Sequence, residues 1–460
     1  MRTLHSFSFC LLNIFMSKRP NRKKLPETPV ATRIESFAHD LRGVAHVDGK
    51  AVFIEGGLPG EEVNFVYTLI KRDFAEGRVV GVVAPSPHRV APQCAHFPIC
   101  GGCSLQHLAE GQQIAEKQNL LMEQFRRIGK VEPQAVWEPL TGPLWGYRHK
   151  ARLGVKWVAK KDKLLVGFRE KASALVAEIE SCPVLHRQVG ERLRELAVLI
   201  NSLSIKDRVP QIEVAVGDER AALVFRVLEP PSPEDLEIFR GFGQQFGFDI
   251  YLQPKGPDSV FALWPENPPL LAYALPEAGI EFRFQPTDFT QVNVEINRKM
   301  VARVLAVLDP QIGEEILDLF CGIGNFTLPL ARQAGRVIGV EGGKEAVARA
   351  RQNALDNGVG NVEFHVADLT QAQDSSGWAG RHYDKVLLDP SRAGAMEILT
   401  YASQWQAKRI VYVSCNPSTL ARDAGILVNE HGYKLVLAGV MDMFPHTSHV
   451  ESIAVFEKAR

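Results

Sequence analysis

Hydrophobic and polar positions divide the chain into three successive rhythms. Over residues 30–85, short β-favouring runs at 30–37, 51–54, 62–69 and 77–83 are cut by Asp48-Gly49 and by the glycine-rich EGGLPGEE. Short strands at that spacing predict a small closed barrel of the OB type. A proline-rich link, APSPHRVAP, follows at 84–92. The next stretch is mixed. Residues 109–129 place Ile114, Leu121 and Phe125 at helical spacing and stop at Gly129. Residues 147–171 read as strands, 186–275 mixes both types, and together these predict a central α+β domain over 93–275. From about 285 the apolar runs EEILDLF, RVIGVE, VEFHVAD, KVLLD and RIVYVSC alternate with helical segments such as GKEAVARARQNALDNG. That alternation predicts a Rossmann-like α/β domain over 285–460, a mostly parallel sheet with helices on both faces.

Composition changes this picture little: 45% hydrophobic and 23% charged residues supply ample core. Lys+Arg and Asp+Glu both total 53, so net charge alone points to no polyanionic partner. Placement says more. Residues 147–171 hold nine Lys or Arg against Asp162 and Glu170, with Tyr147, Trp157 and Phe168 interleaved. Two readings stand side by side, a solvated strand pair with charged outer faces or a nucleic-acid surface. The apolar run at 4–16 is too short to span a membrane, lacks a small-residue cleavage site and carries its positive charge, SKRPNRKK, on the wrong flank for a secretory leader. Residues 1–29 are therefore expected to be a disordered basic tail with an over-extended start, Met16 being the initiator, on a cytoplasmic monomer that meets no membrane.

Seven cysteines in this length are not a secreted disulfide framework. Cys94, Cys100 and Cys103 cluster, whereas Cys10, Cys182, Cys321 and Cys415 stand apart. Clustered thiols in a reducing compartment point to a metal, and Cys182, in EIESCPVL, is available as a fourth ligand. Four thiolates suit zinc or an iron–sulfur cluster, and spacing alone does not choose.

The stretch DLFCGIGNF (318–326) follows an apolar strand and opens a helix, with Gly322 and Gly324 permitting a tight turn. Glu341 ends the next strand, where a carboxylate accepts from ribose hydroxyls, and Asp368 ends the third, in reach of an adenine edge. The third glycine of a dinucleotide fingerprint is missing, with Thr327 in its place. Asp318 would also repel pyrophosphate. A cationic, phosphate-free ligand fits better, namely S-adenosylmethionine, so the domain looks like a class I methyltransferase. Many aminomethylating enzymes of that class carry [Asn/Asp]-Pro-Pro-aromatic where this chain reads LLDPSRAG (387–394), and the next strand delivers Cys415 in VYVSCNPSTL. C5 of a pyrimidine has too little electron density to attack a methyl group directly. Addition of a thiolate to C6 supplies it, as covalent catalysis does elsewhere. A base must then remove the C5 proton. In MFPHTSHVESIAVFE, Glu451 is the candidate and His449 the alternative. The plain readings are strand packing for Cys415 and a surface position for Glu451. A nucleophilic thiol should sit in a field that favours ionisation, and Arg422 is the nearby cation in sequence.

The segments DLFCGIGNFTLPLA, VLLDPSRAG, VYVSCNPSTLARD and DMFPHTSHVES resemble, in order, those of the bacterial RNA uracil-C5-methyltransferase family, most closely its iron–sulfur branch acting on 23S ribosomal RNA. The likeness runs from about residue 30 onward. It implies a nucleophile at Cys415, a proton acceptor at Glu451, and S-adenosylmethionine contacts at Gln291, Phe320, Asn325, Glu341, Asp368 and Asp389. It also implies a [4Fe-4S] cluster on Cys94, Cys100, Cys103 and Cys182, structural or RNA-positioning because the reaction moves no net electrons. The barrel would be a TRAM domain. The implied substrate is a uridine of 23S ribosomal RNA, of the uracil-1939 type, flipped out of its stack. The alternatives are a tRNA uracil-C5-methyltransferase and a non-catalytic RNA-binding or assembly factor. Plain readings accompany three residues: Phe320 as core, Asn325 as a helix cap and Cys321 as packing. Ser391 departs from the commoner small residue without consequence.

Overall fold

Residues 25–38 and 42–86 make one compact unit of the computed structural model, and residues 39–41 and 87–459 make another. The structure describes residues 25–459, so the run at 4–16, Met16 and Cys10 lie outside the described residues. In the first unit six strands form one sheet in the order Val30–Arg33, Glu62–Ile70, Phe74–Ala84, Lys50–Glu55, Gly43–Val47, Ser36–Phe37. The two edge strands are joined by Ile34 and Glu35 alone, a reach of roughly 10 Å. The sheet must therefore curl until its edges meet, as a barrel does. Asp48 (φ +51°) and Gly49 (φ +76°) form the two-residue turn that twists with its flanking strands. Ile34, Ala45, Val52, Ile54, Val63, Phe65 and Ala75 fill the interior.

In the second unit, a six-stranded sheet runs Phe261–Trp264, Phe248–Gln253, Ala221–Arg226, Gln211–Val216, Lys150–Val158, Lys163–Gly167. Helices Leu193–Asn201 and Pro233–Phe246 share its core through Leu196, Ile200 and Phe239. The C-terminal sheet is built from β1 (Glu315–Leu319), β2 (Arg336–Glu341), β3 (Val362–Val366), β4 (Lys385–Leu388), β5 (Arg409–Ser414), β6 (Tyr433–Met441) and β7 (Glu451–Lys458). Their order is β3-β2-β1-β4-β5-β7-β6, parallel throughout except for β7. The first five strands end on one edge of the sheet, so Phe320, Glu341, Asp389 and Cys415 follow or close neighbouring strand ends.

Two segments read in sequence with the central domain belong to this sheet by packing. Helix α1 (Glu110–Gln124) buries Ile114, Leu120 and Leu121 in one core with Leu317, Val386, Ile410 and Ala438. Ala135–Val136 then pairs in parallel with β6 as an eighth strand. On the opposite face, the hairpin Leu271–Leu275/Ile280–Phe284 shares a core with Ile316, Leu387 and Val411. An apolar stripe says that a helix covers a core but not which one, so the boundary drawn at 275–285 missed both. Among the described residues no helix is long and apolar enough to cross a membrane.

After α1, the turn Phe125–Gly129 packs against α2 (Pro417–Asn429), the helix that starts just beyond Cys415. A Cβ at Gly129 would drive into the Ala421 carbonyl, and one at Gly425 would stand 2.9 Å from the Gly129 carbonyl oxygen. Gly129→Ala should therefore destabilise the protein by on the order of 1–3 kcal/mol, seen as a lower urea midpoint with an unchanged slope.

Candidate active site

Beyond β1 the chain turns through Phe320 (φ +66°), Gly322 (φ +54°) and Gly324 (φ +92°). The amides of Phe320 and Cys321 donate to the Val340 carbonyl at 2.9 and 3.1 Å, which lashes the turn to β2. At the end of β2 the Glu341 carboxylate accepts from the amides of Gly322 (3.2 Å) and Gly343 (2.9 Å). Asp318 is wholly buried; one oxygen accepts the Thr327 hydroxyl at 2.5 Å, and the other has no hydrogen-bond partner among the described residues. Burial pushes Asp318 up to about 7 against that hydrogen bond, with Asp389 and Glu341 adding to the rise. Asp389, whose amide donates to the Leu319 carbonyl at 3.2 Å, is also pushed up to about 7, by burial and then by Glu341. Three carboxylates thus converge at the mouth of the parallel sheet. Their field repels phosphate and favours a cation. Thr327 is more than a missing glycine, because it holds the most buried of the three.

The other expected cofactor residues are spread around this centre. Phe320 is half-buried against the same core as α1. Asp368 is exposed, and the hydroxyl and amide of Thr370, at 2.7 and 3.0 Å, keep its carboxyl below the usual range. Asn325 does not cap a helix. The helix begins at Thr327 with Phe326 at the cap position, while the Asn325 amide exchanges hydrogen bonds with Asn297 (3.0 and 2.9 Å) and accepts the Tyr273 hydroxyl at 2.8 Å. Cys321 is buried and pushed well above its ordinary value by burial, as a packing residue should be. Gln291 is half-buried on a segment fixed upstream by Lys150, whose ammonium donates to the carbonyls of Pro286 and Asp288 at 2.5 Å each.

Register brings the two proposed reacting groups together. In the antiparallel pairing of β5 and β7, Ser414 stands opposite Ser452. Cys415 follows Ser414 directly and Glu451 precedes Ser452, so both adjoin this last pair, and the Glu451 charge acts on the Cys415 thiol. Glu451 is only 8% exposed. Burial, then Asp389, pushes it up to about 8, while Arg392 and Lys117 pull the other way. Cys415 is half-buried and lines a cleft with Arg392, Asn416, Ser418 and Ser448. The expected ionising field is absent among the protein's own groups: burial, followed by Glu451 and Asp389, raises the thiol to about 11. Arg422 is committed elsewhere, to Asp423 at 2.8 Å and the Ala393 carbonyl at 2.9 Å. The cation that faces the pair is Arg392, which also stands 3.1 Å from Nδ1 of His449. Desolvation against Phe444, with Arg392, Arg148 and Lys117 adding to it, holds His449 down to about 4, so it is a neutral acceptor for Arg392. Behind the thiol, Asn416 caps α2 by accepting from the Ser418 amide at 3.1 Å.

Sequence reasoning did not find Arg392, Lys117 or Asp442. Lys117 is fully buried on α1 and donates to Asp442 at 2.8 Å, just upstream of Glu451. A lysine among polar helix residues carries no signal that it points inward.

Cys94, Cys100, Cys103 and Cys182 all line one pocket, with Phe97, Arg148 and Phe168. The Gly102 amide donates to the Cys100 sulfur at 3.4 Å, and the Cys94 amide to Oε1 of Gln106 at 3.0 Å. Burial first, and the neighbouring cysteines after it, push Cys103 up to about 12 and Cys182 up to about 11. Among the described residues no three His, Cys, Asp or Glu stand close enough to share a single metal ion. The basic stretch is partly neutralised: Arg152 pairs with Glu213, and Lys161 and Lys163 both pair with Glu178. Its rings carry cations, Lys206 over Trp157 at 4.0 Å and Arg148 over Phe168 at 5.7 Å.

Residues 272–459 match a family model described as tRNA (Uracil-5-)-methyltransferase. A Methylococcus capsulatus protein named 23S rRNA (uracil(1939)-C(5))-methyltransferase is 63% identical over 96% of this chain and 100% of its own length. A protein of the same name from Alkalilimnicola ehrlichii is 56% identical over 95% of this chain and 98% of its own. Among solved structures, the Pyrococcus abyssi tRNA (uracil-54, C5)-methyltransferase in complex with S-adenosyl-L-homocysteine aligns with a TM-score of 0.70 and 27% identity, covering 93% of this chain and 99% of that one. With a carboxylate-lined sheet mouth, a thiol near a buried glutamate, and relatives this similar over nearly their whole length, the chain belongs to the RNA uracil-C5-methyltransferase family.

Proposed function

We propose that this protein methylates C5 of a uridine in 23S ribosomal RNA, the position named uracil 1939 in its relatives, with S-adenosylmethionine as donor. The observation that carries the chemistry is the Ser414–Ser452 pairing, which brings the flanking Cys415 and Glu451 to one place beside Asp389. The donor supplies an electrophilic methyl group on a positively charged sulfur. Glu341, Asp389 and the buried Asp318 give that charge its counter-field, and Asp368, Phe320 and Gln291 complete the donor's surroundings. The Asn325 side chain is engaged with Asn297 and Tyr273, so its part in this reading is through its backbone.

The thiolate of Cys415 adds to C6 of the uracil, and the electron pair released onto C5 takes up the methyl group. Glu451 then accepts the C5 proton, the C5–C6 double bond re-forms, and the sulfur leaves with its electron pair. In the protein alone, burial first and neighbouring carboxylates after it raise both Cys415 and Glu451. A cation seated among those carboxylates offsets the charge part of that rise. Ionisation of the nucleophile is thereby tied to the presence of the donor. Arg392, facing both groups, works in the same direction.

The same reading assigns a [4Fe-4S] cluster to Cys94, Cys100, Cys103 and Cys182. Four half-buried thiols line one pocket, and burial first, then the neighbouring cysteines, lifts Cys100, Cys103 and Cys182, a rise that is relieved when iron holds them as thiolates. The barrel at 30–85 as a TRAM domain, and the basic stretch of the central sheet, would grip the RNA. A cytoplasmic monomer completes the reading, since ribosomal RNA is made there.

Cys415→Ala should abolish methyl transfer to 23S transcripts while leaving RNA binding in place, and Glu451→Gln should accumulate a cysteine-linked RNA on denaturing gels. Methylation of tRNA transcripts in place of 23S transcripts would redirect the substrate assignment. Donor affinity should rise between about pH 5 and pH 8 as Asp318 and Asp389, both near 7, lose their protons and gain charge. S-adenosylhomocysteine lacks the sulfonium charge and should show a smaller rise by calorimetry. Replacing Lys156, Lys160 and Lys161 by alanine should weaken RNA binding and flatten its salt dependence, as a titration across ionic strength would show.

A further inference from the structure

We propose that the two chain segments leaving the cysteine pocket are the mould that positions Glu451, so that Ser104, Leu105 and Trp145 are positioning residues for proton removal. This rests on the reading of Glu451 as the proton acceptor. Residues 442–450 join β6 to β7 and deliver Glu451 to the site. The loop's backbone groups are satisfied mainly by distant chain. The amides of Ser104 and Leu105 both donate to the His446 carbonyl at 2.9 Å. The Ser104 hydroxyl accepts from the Ser448 amide at 2.9 Å, and Oε1 of Gln113 accepts from the His446 amide at 2.9 Å. Lys117 donates to the Phe444 carbonyl at 2.9 Å, and the Tyr147 hydroxyl to the Pro445 carbonyl at 3.0 Å. The indole of Trp145 stacks on the His446 ring with centroids 4.0 Å apart. His446 itself sits at φ +65°, a left-handed conformation that a side chain with a Cβ keeps only where its surroundings impose it.

Both sides of this mould lead to thiols. Ser104 is bonded to Cys103. Trp145 and Tyr147 flank Gly146, whose amide donates to the Pro183 carbonyl at 2.8 Å, and the Arg148 amide donates to the Val184 carbonyl at 3.0 Å. Pro183 and Val184 directly follow Cys182. Tying Cys103 and Cys182 to one body fixes the separation of the two jaws that hold His446. Only residues 447–450 lie between His446 and Glu451, and the Thr447 hydroxyl, donating to the Phe444 carbonyl at 2.9 Å, stiffens that link. A relaxed jaw therefore displaces the carboxylate, while the donor site on β1–β4 is built from other contacts. Attack by Cys415 and methyl transfer proceed; transfer of the C5 proton to Glu451, with cleavage of the C6–S bond, is the step that slows.

The test follows the RNA adduct in Ser104→Ala, with Ser104→Thr as the rescue that restores the hydroxyl, and hydrogen exchange of peptides spanning 442–450. In the as-purified protein, Ser104→Ala should hold the cysteine-linked RNA about fivefold longer, the scale of one lost hydrogen bond, with unchanged S-adenosylhomocysteine affinity, and the threonine variant should return to normal. Stripping the metal with an iron chelator should deprotect 442–450 before it affects β1–β4. Normal adduct release in Ser104→Ala, together with exchange at 442–450 that ignores chelation, would overturn the proposal even where Glu451→Gln traps the adduct as expected. If Glu451→Gln traps nothing, the identity of the base fails instead, and the exchange arm alone decides whether the pocket holds the loop.

Discussion

The antiparallel return of β7 between β5 and β6 is the constraint on which the site depends. A wholly parallel sheet would present only strand ends and their loops at this edge, and every reacting group would have to come from a loop. Inserting one strand in the opposite sense brings a strand beginning to the same edge, and Glu451 starts that strand. Hydrogen bonding on both flanks, to β5 and β6, fixes its position along the sheet. A shift of one residue would turn Glu451 to the other face. Backbone pairing thus sets the face and register of the proton-accepting residue, and the loop that leads into it sets the carboxylate's final place.

Charge gives the site its second character. Asp318, Glu341, Asp389 and Glu451 all lie near one another at an edge where many related folds receive phosphates. Burial keeps several of them protonated while no cation is near, so the acidity is latent. Arg392 and Lys117 moderate it from two sides. Burial first, and this same field after it, keep the Cys415 thiol from ionising early.

Much of this was legible in the chain. The first five parallel strands announced themselves as apolar runs, Glu341 was read as standing at the end of one, and Asp389 came from the family resemblance. The barrel strands were marked by their turns, above all Asp48-Gly49. What failed was long-range. Helix α1 reads as amphipathic, and nothing local tells that its apolar face lies on the C-terminal sheet or that Lys117 turns inward to Asp442. Asn325 sits where a cap is expected, but Asn297, from a different helix, captures its amide. Arg422 is near Cys415 in sequence yet turns to Asp423, whereas Arg392 arrives from a separate loop. Fields at a site are sums over distant segments, and spacing along one segment cannot supply them.

The short strand Ala135–Val136 has a bearing on how this chain behaves among its copies. The outer margin of β6 would otherwise expose a row of unpaired amides and carbonyls, a template onto which another molecule's strand can add. Here the Gln134 amide bonds to Leu435, Trp137 to Ala438 and Leu140 to Val440, and Asp442 returns a bond to Leu140. The chain has covered that margin with its own backbone, so the edge left on that side is a strand of two residues in place of the nine of β6.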